Sequence, residues 1–114
     1  MADFLFLFRG GEGNESPAQM QQHMQKWVSW MKELGDKGHF KAGEPLENKG
    51  KVVRGKSKVM TDGPFAEAKD LVGGYLLVSA KDIEHAAELS KGCPIFERDG
   101  AVEVRPVMQM ATKS

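Results

Sequence analysis

The 114-residue sequence predicts a single α+β domain with the ferredoxin-like order β-α-β-β-α-β, an antiparallel sheet and an extra short hairpin. Two apolar segments of strand length, residues 4–8 and 74–79, indicate the centre of the sheet. Two segments with helical periodicity, residues 17–34 and 81–91, follow these strands and indicate helices that cover one face. A chain of this length, residues 1–114, suffices for one compact domain and is too short for two.

The first strand is apolar on both faces. Phe4, Phe6 and Phe8 alternate with Leu5 and Leu7, so the aromatic rings point to one face and the leucines to the other. The helices of the domain can cover one face, whereas the other needs a second subunit. We therefore predict a homodimer in which two sheets pack face to face.

The first helix has a clear start. Ser16 is a capping residue, Pro17 suits the first helical position, and Gln19 can complete a capping box. A stripe of apolar residues follows at spacings of three and four: Met20, Met24, Trp27, Met31 and Leu34. We expect this stripe to face the sheet, with its methionines filling the core.

The middle of the chain is rich in turn-forming residues. Residues 39–50 are expected to form an irregular connection. Residues 51–54 and 57–60 are expected to pair as a hairpin across the two residues Gly55 and Lys56.

The remaining elements complete the predicted order. A brief helical turn is expected at residues 65–70, and a strand at residues 101–110. Four residues of the second helix are expected to face inward: Ile83, Ala86, Ala87 and Ser90. Gly92 and Pro94 end that helix.

Composition excludes several classes of protein. Sixteen basic and sixteen acidic residues give a formal net charge of zero, which argues against a polyanion such as nucleic acid as the partner. The single Cys93 excludes an internal disulfide and a cysteine-based zinc site. We also predict no metal and no cofactor, because two titratable groups could carry out proton transfer without either. No apolar run approaches the ~18 residues that span a membrane, and a cytoplasmic location is expected.

One motif carries a family resemblance. The segment Thr-Asp-Gly-Pro-Phe-Ala-Glu-Ala-Lys-Asp at residues 61–70, followed by Gly-Gly-Tyr at 73–75, resembles the signature of the YCII-related, or DGPF-domain, family. Residues 93–94 and 102–106 are also similar to that family. The resemblance implies a small bacterial protein that forms a dimeric α+β barrel. It also implies a His–Asp pair in a pocket, and for some members an association with sigma factors.

Asp62 and His23 are the candidate catalytic pair. An aspartate in a turn usually accepts from the amide two residues on, but Pro64 has no N–H. The Asp62 carboxylate therefore reaches a later amide as a helix cap, or points to water or into a pocket. His23 lies at the edge of the apolar stripe, where the resemblance implies the pocket histidine. The alternative for His23 is a partly buried side chain bonded to a backbone carbonyl.

Further residues are candidates for ligand binding. Trp27 and Phe65 would form apolar walls, and Arg105 has the fork that matches a carboxylate. Glu67 and Lys69 are implicated by the resemblance alone, and a solvated turn is the alternative. Arg105 can instead join Glu103 in charge pairs across strands.

Three other polar residues are weaker candidates for a functional role. His39 could approach the loop of Asp62, whereas His85 is expected to be a solvated surface residue. Cys93 has no base near it in the sequence that would make it a catalytic thiol.

Two classes of function follow. In the first, the protein is an enzyme that acts on a small organic molecule through a His–Asp acid–base pair without a cofactor. In the second, it is a non-catalytic ligand-binding or regulatory module associated with transcription.

Overall fold

The computed structural model describes residues 1–11, 16–63 and 70–110. The strands in the described residues are β1 (Ala2–Arg9), β2 (Phe40–Pro45), β3 (Gly50–Arg54), β4 (Val59–Gly63), β5 (Val72–Ala80) and β6 (Ala101–Pro106). The helices are α1 (Pro17–Asp36), α2 (Ile83–Ser90) and a 3-10 helix (Pro94–Arg98).

Four strands form the main sheet in the order β2-β5-β1-β6. All three neighbouring pairs are antiparallel. Side chains from α1 and α2 join the same core as the inward residues of β1 and β5, so both helices cover one face of the sheet. This arrangement confirms the predicted α+β, ferredoxin-like fold.

The core lies under the aromatic face of β1. Phe4, Phe6 and Phe8 are buried, whereas Leu5 and Leu7 on the opposite face are only half-buried. The alternation predicted for this strand is therefore confirmed, and it follows from the two-residue period of a pleated strand. We call the leucine side of the sheet the outer face.

The start of α1 is as predicted, but its buried stripe differs. Ser16 and Gln19 form the capping box, with Pro17 in the first turn. The buried residues of α1 are Trp30 and Leu34, whereas Met20 and Met24 are exposed. The prediction that these two methionines fill the core was wrong, because the N-terminal half of α1 borders a cavity instead of packing tightly on the sheet.

The predicted irregular connection at residues 39–50 contains the edge strand β2, which pairs with β5. Sequence reasoning missed this strand because Gly43 and Pro45 resemble turn residues and no alternation of apolar residues marks it. Gly43 is needed there for close packing. A Cβ atom at this position would lie 2.2 Å from Leu76 Cδ2 and 2.8 Å from the carbonyl oxygen of Tyr75.

The predicted hairpin exists, but it stands apart from the main sheet. Strands β3 and β4 form a separate two-stranded sheet. Arg54 pairs with Val59, so four residues connect the strands, not the two that were predicted. Gly55 and Lys58 have positive φ angles within this longer turn.

The C-terminal part differs from the prediction in three details. The final strand ends at Pro106 and not at residue 110, although the N–H of Val107 still donates to the carbonyl oxygen of Asp3. Residues Pro94–Arg98 form a 3-10 helix that was not predicted. In α2, Ala86 and Ser90 are buried but Ile83 is exposed. Among the described residues, no helix is long and apolar enough to span a membrane.

Replacing Gly43 with alanine should weaken the pairing of β2 with β5. The added methyl group would collide with a backbone oxygen as well as a side chain, and we expect a loss of about 1–3 kcal/mol in the free energy of unfolding. Gly73→Ala is the matched control, because a Cβ atom there meets nothing within 4 Å. Urea denaturation of both variants checks this prediction, and an equal loss in the two would contradict it.

Candidate functional site

A cavity of about 320 Å³ lies between the N-terminal half of α1 and the inner face of the sheet. Its walls are mainly aromatic and sulfur-containing side chains: Phe8, Met20, Met24, Trp27 and Met31. The rings of Phe8 and Trp27 meet edge to face with their centroids 4.8 Å apart. We call this space the Trp27 cavity.

Glycines leave the space for this cavity. Gly10, Gly11, Gly43, Gly73 and Gly74 all line it. At Gly11, φ is +76° and a Cβ atom would lie 2.6 Å from Ile95 Cγ1, so both the backbone and the packing require glycine. At Gly73, by contrast, a side chain would meet nothing within 4 Å and would extend into open space.

A hydrogen bond between two cavity residues determines the tautomer of His23. Trp27 Nε1 donates to His23 Nε2 over 2.9 Å, one helical turn apart on α1. An indole N–H can only donate, so Nε2 of His23 carries the lone pair and the neutral ring has its proton on Nδ1. The neutral His23 can therefore donate a hydrogen bond from Nδ1. Protonation of Nε2 would break the bond to Trp27.

Two charged residues also line the cavity, namely Glu44 of β2 and Arg98 of the 3-10 helix. Arg98 is half-buried, and its Nη2 lies 3.9 Å from Met20 Sδ. Glu44 is exposed on the edge strand. The cavity therefore combines apolar walls with a cation, a carboxylate and an imidazole, which is the composition of a small-molecule site.

An ion pair borders His23. Lys26 of α1 donates to Glu97 over 2.8 Å and joins α1 to the 3-10 helix. This hydrogen bond lowers the pKa of Glu97 below its ordinary value, while partial desolvation opposes the shift and the charge of a protonated His23 adds to it. Glu97 therefore remains a carboxylate paired with Lys26.

The structure does not bring Asp62 to His23 within one chain. Asp62 lies on β4, forms an ion pair with Lys51 of β3, and has 87% of its side chain exposed. His23 lies on α1 beside the cavity. The role of this pair remains a prediction. Phe65, Glu67 and Lys69 lie outside the described residues, and their predicted roles are likewise untested.

Arg105 lies on the outer face, on the opposite side of the sheet from the cavity. It pairs with Glu103 at 3.2 Å, and Glu103 also binds Arg9 of the neighbouring strand at 2.7 Å. Hydrogen bonds from Arg9, and then from Arg105, lower the pKa of Glu103 against a smaller opposing effect of desolvation. Glu103 therefore forms a charge pair between strands with Arg9, whereas its pair with Arg105 lies within β6. Ligand binding by Arg105 remains a prediction.

Arg9 has a second role at the base of β5. Its Nη1 donates to the carbonyl oxygen of Asp70, and Gly10 donates its N–H to the carbonyl oxygen of Leu71. These bonds hold the start of β5 against the end of β1.

The other histidines lie at the opposite end of β5 from the cavity. His39 Nδ1 donates to the carbonyl oxygen of Ser79, and the rings of His39 and His85 are 5.2 Å apart. His85 is half-buried and accepts from the backbone N–H of Lys81, so it lies at the surface but is less solvated than predicted. The predicted approach of His39 to the loop of Asp62 is not seen among the described residues.

Cys93 lies in the core and is 3% exposed. Burial raises the pKa of its thiol to about 12, although a backbone hydrogen bond from Ile95 opposes the shift. The thiolate needed for nucleophilic catalysis is therefore suppressed.

The described residues contain no group of three or more His, Cys, Asp or Glu side chains that could hold a metal ion. A wider groove of about 880 Å³ runs between α1 and α2, but it is open and bordered by charged side chains. The Trp27 cavity is smaller and more apolar, and it contains the candidate His23. The Trp27 cavity is therefore the candidate functional site.

Sequence reasoning found His23 and Trp27 but missed Arg98 and Glu44. Arg98 lies in a 3-10 helix and Glu44 in an edge strand, and neither element was predicted. A proline that follows a possible cap is a signal for the start of a short helix, and Cys93-Pro94 provides it.

Comparisons with known proteins agree with this fold. The family model described as YCII-related domain matches residues 3–111. The structure is similar to that of a 5-chloro-2-hydroxyhydroquinone dehydrochlorinase from Burkholderia phenoliruptrix AC1100, solved in complex with 2,5-dihydroxybenzoquinone. The TM-score is 0.50 at 15% identity, and the alignment covers 98% of this chain and 99% of the other. No curated protein matches significantly by sequence.

Loss of the His23 ring should change the fluorescence of Trp27. The substitution His23→Leu removes the acceptor of the indole N–H. We expect the tryptophan emission of His23→Leu to shift, whereas the matched variant His85→Leu should emit as the wild type does. Unchanged emission in His23→Leu would disprove this hydrogen bond.

Proposed function

The chain belongs to the YCII-related domain family, and on that premise we propose that the Trp27 cavity binds a small, ring-shaped organic molecule that carries an acidic oxygen. The single observation that carries the proposal is the hydrogen bond that holds His23 beside the aromatic wall of the cavity. The presence of Arg98 in the same lining supports an acidic ligand, since a guanidinium matches a carboxylate or an ionised hydroxyl.

The size and walls of the cavity favour a ring. A volume of about 320 Å³ lies at the small end of the range for ligand sites, which begins near ~300 Å³. The edge-to-face contact of Phe8 with Trp27 presents flat aromatic surface to a bound molecule. The methionines Met20, Met24 and Met31 can adapt to its shape because their side chains are unbranched and polarizable.

His23 is the group that would act on this molecule. In its neutral form the Nδ1–H can donate to an oxygen of the ligand and stabilise negative charge that develops there. The bond from Trp27 supports this role, because it engages Nε2 and keeps the donor on Nδ1. Such a site would polarise a carbonyl or hydroxyl without a metal or an organic cofactor.

The predicted acid–base pair of His23 and Asp62 is the finer form of this proposal. It requires Asp62 to leave its partner Lys51 or to meet His23 from another chain. The second function, a regulatory module that binds a ligand without converting it, uses the same cavity. Binding of a ring-shaped ligand whose absorbance spectrum then stays unchanged over time would favour that alternative. A cytoplasmic location and a bacterial source remain predictions.

Binding in the Trp27 cavity can be tested with 2,5-dihydroxybenzoquinone, an acidic ring that the structurally similar dehydrochlorinase binds. We expect His23→Leu to weaken binding at least about tenfold, because it removes the Nδ1–H that would donate to the ionised oxygen of the ring. Arg98→Met should also weaken binding. Isothermal titration calorimetry would measure both effects.

Arg105→Met is the matched control, since this arginine lies on the outer face and its loss should leave the affinity unchanged. If all three variants bind as the wild type does, the ligand occupies another surface and the proposal fails. If the wild type does not bind the quinone, related aromatic acids should be screened by the quenching of tryptophan emission. Absence of a ligand among rings of this size would refute the proposal.

We also propose that the chain forms a homodimer through the outer face of the sheet. Leu5 and Leu7 of β1 lie beside Leu77 and Tyr75 of β5 in register on this face. These side chains are half-buried in one chain, and none of the described helices covers them. Ion pairs border the apolar area at both ends, with Lys41–Asp3 at one and Arg9–Glu103 at the other.

Leu7→Lys should break this dimer, because it places a charge at the centre of the buried apolar face. Sedimentation equilibrium should give twice the 12.6 kDa of one chain for the wild type and a single chain mass for the variant. Ile83→Lys, an equally radical change on the exposed side of α2, should remain dimeric. A monomeric wild type would exclude the proposed assembly.

A further inference from the structure

The hairpin of β3 and β4, with the residues that lead into it, stands apart from the rest of the chain. We call residues 46–63 the arm. Its strands pair with each other, and neither joins the four-stranded sheet. The radius of gyration of the Cα atoms is 16.0 Å, whereas a compact domain of this length has one of about 13 Å. The extents of 48 × 46 × 20 Å agree with an arm that extends from the body.

An isolated two-stranded hairpin is at best marginally stable in water and needs something to pack against. The arm has apolar side chains that are exposed in this chain: Val53 at 56%, Val59 at 55% and Met60 at 65%. Val53 and Met60 are opposite each other in register and share one face with the pair Lys51 and Asp62. This face combines an apolar centre with a carboxylate, as a contact surface would.

The position of the arm relates it to the functional site. It leaves the body at Pro45 and returns before Val72, while Gly73 and Gly74 at the start of β5 line the Trp27 cavity. The N–H of Leu46 donates to the carbonyl oxygen of Gly73 and holds the base of the arm at this edge. The arm therefore begins at the border of the cavity, although Asp62 lies away from the cavity of its own chain.

We propose that the arm of one copy packs across the mouth of the Trp27 cavity of a second copy, so that each site is completed by Asp62 of the other chain. This inference rests on the proposed function of the cavity, and it adds that a second copy of the chain completes the site. The receiving surface is an exposed apolar stripe of α1. Met20 and Met24, which are 42% and 50% exposed, line the cavity, and Val28, which is 58% exposed, continues the stripe beyond it.

Charge favours a second copy over an unrelated occupant. The arm contains five basic and two acidic residues, which gives a formal charge of +3. Because the whole chain has sixteen residues of each sign, the remainder carries −3. The arm of one copy is therefore attracted to the body of another.

The arm is also long enough to reach the cavity of a second copy. Each five-residue strand spans about 17 Å, and the connecting residues 46–49 add to this reach. Two sheets packed face to face lie about 10 Å apart, so an arm that leaves the end of one sheet can pass beyond the other. Such a crossing also offers the predicted pair of His23 and Asp62 a way to form between chains.

Cross-linking between different chains tests the inference without any ligand. Met24→Cys and Met60→Cys are made as separate proteins, mixed so that subunits exchange, and treated with a short bismaleimide. We expect a covalent dimer that contains one chain of each kind. The buried Cys93 does not compete. Ile83→Cys, with an exposure similar to that of Met24, is the matched control and should give little product with Met60→Cys.

A double variant that carries both cysteines distinguishes an arm that packs on another copy from an arm that packs on its own chain. A product confined to single chains would show that the arm folds onto its own cavity, and absence of a product would show that it packs elsewhere. Either result overturns the inference, while the quinone titration of His23→Leu still tests the cavity itself.

Mutation of the arm provides an independent measurement. Val53→Lys and Met60→Lys alter side chains that are exposed in one chain, so the melting temperature of the isolated subunit should be nearly unchanged. If the arm packs on a second copy, the dissociation constant of the dimer should rise at least about tenfold. An unchanged constant would contradict the inference. Strong, salt-dependent binding of duplex DNA by a monomeric wild type would instead assign the basic arm to nucleic acid and overturn it.

Discussion

The contact between the aromatic residues of β1 and the tryptophans of α1 holds this structure together. Phe6 and Trp30 stack with centroids 6.3 Å apart, and Phe8 meets both Trp27 and Trp30 edge to face. Large rings bury much apolar area at a small cost in side-chain entropy, so these few contacts fix α1 against the sheet. The position of His23, one turn before Trp27, depends directly on this packing.

The same packing explains why a cavity lies where it does. The second half of α1 is drawn onto the sheet by Trp30 and Leu34, which are both buried. The first half begins after Ser16 and passes over strand ends in which glycines replace side chains. Where the helix has methionines and the sheet has glycines, the two layers do not fill the space between them. The cavity is therefore a consequence of residue size, and close packing around it preserves its shape.

The arm and the outer face share a second constraint, which is that a small chain cannot cover all of its apolar surface. One layer of helices protects one face of the sheet. The leucines of the other face and the apolar residues of the arm remain accessible. An assembly of two copies would cover both surfaces, and it would also explain why a chain of zero net charge concentrates positive charge in one segment.

The sequence by itself determined the fold, because strict alternation in β1, the capped stripe of α1 and the order of the elements depend on local periodicity. The spacing of His23 and Trp27 also placed them on one side of this helix, whereas the role of His23 was implied by the family resemblance. The sequence could not determine the edge strand at Phe40–Pro45, because an edge strand is specified by its pairing with β5 and not by its own pattern. Nor could it show that Arg98 reaches the cavity or that Asp62 stands on a separate hairpin. Those placements depend on contacts between residues far apart in the chain, and only the tertiary structure decides them.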